Sequence, residues 1–186
     1  MPHNIGSRTV TLAVRHFPQL RNYWCGPATA LQTLDFSDRT AANSTTQAAI
    51  ASGMGSNLTQ GGTDIPTIVN AVHSRTSNRR LIHSRITNQT AIGNNILLAI
   101  DHGITPIVRF ETVSSANWIF SIGFGNFANV SGMSTDNSGF VSHVQLTDAW
   151  VGSQWFRPGT SGTYWVTLQN LTNAMNTGGT RVNFAW

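Results

Sequence analysis

Gln19-Leu20-Arg21-Asn22-Tyr23-Trp24-Cys25-Gly26-Pro27-Ala28-Thr29 is the stretch on which the reading of this chain turns. Gly26 permits a tight entry, and Pro27 suits a first helical turn, where its missing N–H costs nothing. Good helix formers follow, and Ala28, Leu31 and Leu34 make an apolar stripe at helical spacing. Cys25 is the only cysteine in 186 residues, so it forms no internal disulfide. A thiol at a helix N-terminus faces unpaired N–H groups and the positive end of the helix dipole, and both favour the nucleophilic thiolate. The side-chain amide of Gln19, six residues upstream, is placed to donate to an oxyanion forming beside Cys25. The plainer alternative is a small buried hydrophobe at a helix entry.

The run Gln19 to Thr29 resembles the nucleophile motif of papain-like cysteine peptidases. It is most similar to the bacteriocin-leader-processing type and its secreted actinobacterial relatives, where an amide residue precedes Tyr-Trp-Cys-Gly-Pro-Ala-Thr. Thr46 to Gly53 and Gly62-Thr63-Asp64 with Ile65, Ile68 and Val69 resemble the next two helices of that family. Ser142-His143-Val144-Gln145-Leu146 resembles its histidine strand, and Tyr164 to Met175 its closing helix. The resemblance implies an α+β papain-like fold. A helical part over about 19–103 would pack on an antiparallel sheet part over about 104–186, within a single domain, 1–186.

Composition bounds the rest. Charged residues are 10% of the chain, well under the roughly 25% of an average globular protein. All 11 basic side chains are arginine, and Ser, Thr, Asn and Gly take the place of charge. That pattern is expected of a secreted bacterial protein, whose signal peptide would precede the numbered chain. The net charge of +4 is scattered, with only Arg79-Arg80 adjacent, which argues against nucleic acid as a partner and leaves room for weak contact with anionic cell-wall polymers. No stretch has the length of a membrane span. One cysteine and scattered histidines offer no metal-ligand spacing, so no metal or cofactor is expected.

Along the chain, Thr9 to Val14 reads as a strand, Ser44-Thr45-Thr46 as a cap for a helix to Met54, and Thr63 or Asp64 as the cap of another. Leu81–Ile86 alternates like a strand, Asn88 caps a helix ending at His102-Gly103, and Ile104–Thr112 reads as a central strand. Residues 113–140, with Asn126 to Gly139 rich in Asn, Ser and Gly, read as an insertion. Phe140 to Trp150 alternates as a core strand, Val151–Phe156 pairs back on it, Thr167 caps a helix, and Thr180–Trp186 closes the sheet.

A thiolate peptidase needs a base, and His143 is the candidate, with its pKa near neutrality. The family holds its histidine with an Asn or Asp on the strand after the histidine strand, usually in an Asp-Pro pair. Here the corresponding pair is Arg157-Pro158, and an arginine accepts no hydrogen bond. Asp148 is the nearest acid, but five residues from His143 it falls on the opposite sheet face unless a bulge intervenes. Asp136 and Gln154 are the other candidates. The leading expectation is therefore a cysteine peptidase acting on peptide or protein through a Cys25 thioester, with His143, Gln19 and Asp148 as the site. A thiol acyltransferase or amidase shares that intermediate. A non-catalytic binding module on a degenerate peptidase scaffold is the third alternative.

Overall fold

The Gly26-Pro27 entry does begin a helix: α1 runs Cys25–Ser37. The chain is described here from a computed structural model covering residues 6–55, 63–77, 80–112, 124–177 and 179–186. Helix α1 is buried nearly all round, Thr29, Gln32, Thr33 and Asp35 included, so it is a core helix rather than an amphipathic surface one. Three shorter helices lie close to it in sequence: α2 (Arg39–Asn43), α3 (Gln47–Gly53) and α4 (Ile65–His73). Each has the side-chain cap its sequence offers. Asp38, Thr46 and Asp64 accept from the N–H of Ala41, Ala49 and Thr67 at 3.0, 3.1 and 2.8 Å. Gly26 is needed for packing, since a methyl group there would overlap the Thr63 side chain.

The remaining elements are β1 (Thr9–Thr11), β2 (His83–Ser84), α5 (Gln89–Asp101), β3 (Ile107–Glu111), β4 (Gly125–Thr135), β5 (Val141–Asp148), β6 (Thr163–Thr167), α6 (Leu168–Thr177) and β7 (Phe184–Ala185). The strands form one sheet in the order β2-β7-β3-β4-β5-β6, all neighbours antiparallel, with β1 extending the β3 edge of β4. Strand alternation gives the sheet two faces. Val108, Phe110, Ala128, Val130, Val144 and Leu146 pack with α5 and α6. Ile107 and Phe127 point the other way, into the cluster built by α1, α3 and α4. The expected α+β architecture is present, with helices covering both faces of the antiparallel sheet.

Several local expectations need revision. Residues 125–135, read as part of an insertion, form the longest strand at the sheet centre. Asn126, Asn129, Ser131 and Gly132 there are buried against neighbours, not looped out. Residues 113–123 lie outside the described residues. The strand expected over Leu81–Ile86 shortens to His83–Ser84, and Val151–Phe156 is a turn with a single bridge, Ser153 to Phe156.

Candidate functional site

The site follows from how α1 lies on β4. Cys25, Thr29 and Thr33 are spaced by four, so they share one helix face. Thr29 Oγ1 donates to the Phe127 carbonyl at 3.2 Å, and Asn129 Nδ2 donates to Thr33 Oγ1 at 2.7 Å. One turn earlier, Cys25 therefore meets the start of β4. There its sulfur is in hydrogen-bonding reach of the backbone of Phe127 and Gly26. The turn leading into Cys25 is strained, with Tyr23 at φ 66°, a left-handed conformation that costs a non-glycine residue on the order of 1 kcal/mol.

Asn126, the residue before Phe127, is buried, and its side chain is fully engaged. Nδ2 donates to both Asp148 carboxylate oxygens at 3.0 and 2.9 Å, and Oδ1 accepts from the Phe127 N–H at 2.9 Å. Asp148 takes two more bonds, from the Trp150 N–H at 2.9 Å and from the Tyr164 hydroxyl at 2.8 Å. Burial pushes its acid strength down and its pKa up, while those hydrogen bonds pull the other way. Tyr164 is held firmly protonated by burial and by the carboxylate it donates to.

Cys25 itself is half-buried. Its pKa is pushed up to about 12, first by desolvation of the sulfur and second by the negative charge of Asp148; backbone N–H groups oppose this and lose. The expectation of a helix-stabilised thiolate thus meets a stronger opposing effect. Desolvation disfavours an anion, and a carboxylate faces it where a cation was expected. None of the groups acting on Cys25 is an imidazole.

Of the residues singled out in the sequence, the fold brings Cys25 and Asp148 together and leaves His143 apart. His143 is exposed on β5, opposite Ser134, whereas Asp148 lies opposite Ala128. A separation of five positions spans roughly 16 Å of extended chain and places the two side chains on opposite faces. No bulge falls on β5 between them. Gln19 is buried, and its backbone N–H donates to the Ala149 carbonyl at 2.9 Å, next to Asp148. Among the described residues, its side-chain amide has no hydrogen-bond partner on either atom. Asp136 caps the β4–β5 turn through the N–H groups of Ser138 and Phe140, far from the site. Asn126 and Tyr164 were missed. Once Asp148 is taken as the orienting acid, the rule of one acid on the strand after the base points to β4, and hence to Asn126.

His16 lies nearby, with Nε2 3.1 Å from the Asp148 carbonyl oxygen, and burial lowers its pKa. It is packed against Gly152 and Gly162, and a side chain at Gly162 would overlap its ring. Among the described residues, no group of three or more His, Cys, Asp or Glu is placed to hold a metal ion, and no helix is long and apolar enough to cross a membrane.

These features belong to a peptidase-like fold. A crystal structure of a provisionally assigned C39-like peptidase from Bacillus anthracis superposes with a TM-score of 0.64 at 10% identity, covering 96% of each chain. That likeness shows the fold. No family model matches the sequence, and no curated protein does.

Proposed function

We propose that this chain is a non-hydrolytic member of the peptidase-like fold, a binding module for peptide or protein segments. On this reading its Cys25 site keeps the layout of a thiol peptidase without a working base. The observation that carries this reading is Asn126. It bonds Asp148, the carboxylate that acts on Cys25, and directly precedes Phe127, whose backbone meets the Cys25 sulfur; on this reading it takes the place where the resembled peptidases need an imidazole. An amide neither accepts a proton from a thiol near neutral pH nor returns one to a leaving amine. The thiol, pushed up to about 12, stays protonated. The unpaired Gln19 amide supports retained binding, because a buried amide left without partners costs roughly 1–3 kcal/mol, which a bound peptide carbonyl would offset. The low-charge, Ser/Thr/Asn-rich composition fits action outside the cell.

The test is hydrolysis of a diverse peptide library read by mass spectrometry, beside a Cys25→Ser control. The expected result is no Cys25-dependent cleavage. Turnover abolished by Cys25→Ser would restore the hydrolase reading, and aminolysis products formed with added amine would restore the acyltransferase one.

A further inference from the structure

The open face of the sheet beyond the C-terminal half of α1 carries a second constellation, separate from Cys25. Thr9 on β1 stands opposite Ser134 on β4, Ser134 opposite His143 on β5, and His143 opposite Thr167 on β6. Facing side chains in antiparallel strands are about 5 Å apart, so Thr9, Ser134 and His143 form a row about 10 Å wide. Thr9 Oγ1 donates to Ser134 Oγ at 3.2 Å. His143 Nδ1 lies 3.1 Å from Ser142 Oγ, which leaves Nε2 as the ring nitrogen available to a ligand. Trp165, two residues from Thr167 on the same face, flanks the row and is 38% exposed. Thr9, Ser134, His143 and Trp165 line an open hollow of about 340 Å³, at the small end of the roughly 300–1,000 Å³ typical of small-ligand clefts.

We propose that this hollow is a binding subsite for a neutral carbohydrate. An indole face, electron-rich above the ring, attracts the weakly positive C–H groups on one side of a pyranose. Two hydroxyls and an imidazole in a row, each able to donate and accept, match a saccharide's hydroxyl pattern. Charge decides against ionic ligands. Among the described residues, the lining of the hollow has no acidic or arginine side chain, and the neighbouring Arg8 is bound to both oxygens of Asp101 at 2.8 and 2.6 Å. A lipid surface would need a continuous apolar patch, and among the described residues Trp165 is the one large apolar side chain lining the hollow.

The experiment is a titration of the full chain, labelled with ¹⁵N at tryptophan, with maltotetraose, cellotetraose and chitotetraose to about 10 mM, enough to fill a site with Kd near 1 mM. The indole N–H signal of Trp165 is assigned by its loss in Trp165→Phe. At least one of these sugars is expected to shift it saturably. Trp165→Ala and the double variant Ser134→Ala/His143→Ala should each weaken binding about tenfold, and Cys25→Ser should leave it unchanged. The double variant keeps the test decisive if Trp165→Ala fails to fold. The proposal is overturned if none of the three sugars moves that signal, if affinity survives within twofold in the folded variants, or if only sialylated or sulfated sugars bind.

Discussion

The reactivity of Cys25 separates a poised nucleophile from a resting thiol, and its size follows from the site. With the pKa pushed up to about 12, the thiolate fraction at pH 7.5 is about 3 in 100,000. An ordinary cysteine near 8.5 has about one in ten ionised, a roughly 3,000-fold difference. The more basic anion recovers part of this. With a Brønsted coefficient of about 0.45, the 3.5-unit difference returns roughly 40-fold, leaving Cys25 about 100-fold slower than a free cysteine. Iodoacetamide alkylation of the native chain across pH 6–11, followed by mass spectrometry with a denatured control, measures this directly. The rate should climb tenfold per pH unit without levelling off up to the top of that range. Asp148→Asn supplies the sign. Removing a charge that raises the Cys25 pKa should move the profile to lower pH and speed labelling, whereas in a working triad it should slow labelling. A native rate at or above that of free cysteine at pH 7.5, or a plateau below pH 9, would refute the reasoning.

Asn126→His places an imidazole against Asp148, one residue before the Phe127 backbone that meets the Cys25 sulfur. Alkylation at pH 7 is expected to rise more than tenfold, with an inflection moved several units toward the range of histidine-paired cysteines. An unchanged profile in a folded variant, judged by circular dichroism, would count against Asn126 as the missing base position. His16 gives a second pH signature. Burial holds its folded pKa below the ordinary value near 6.5, so the unfolded chain protonates first on acidification. Its contribution is complete above that value and is lost as pH falls below it. Denaturant midpoints between pH 7 and 5 should therefore fall less in His16→Gln than in the native chain, and parallel curves would show that His16 carries none of the acid sensitivity.

Where local chemistry sets the structure, the sequence was legible. Gly26-Pro27 opens α1, and Thr46, Asp64, Asn88 and Thr167 each cap the helix they precede. Cys25 and Asp148 were both visible, and so was the parity argument that put Asp148 and His143 on opposite faces. Local pattern does not place His143. Its alternation marks a strand equally well whether the histidine faces a nucleophile or solvent. What decided its place was the register between β4 and β5, which pairs it with Ser134 at the end away from the α1 N-terminus. Register is a long-range property, fixed by which faces are buried.

Asn126 was hidden for a related reason. Asn-Ser-Gly composition normally marks loops, because those side chains compete for backbone hydrogen bonds. In β4 the same groups are consumed by tertiary partners, Asn126 by Asp148 and Asn129 by Thr33, which makes a loop-like composition into a central strand. Those contacts also tie the strand to the site. Asn126 satisfies the buried carboxylate that a catalytic histidine would otherwise orient against. Its replacement by an apolar residue would strip Asp148 of its Nδ2 donor, whereas histidine would still offer one. On the proposed reading, the residue that stands at the base position is therefore also the one that keeps the acid tolerable in the core.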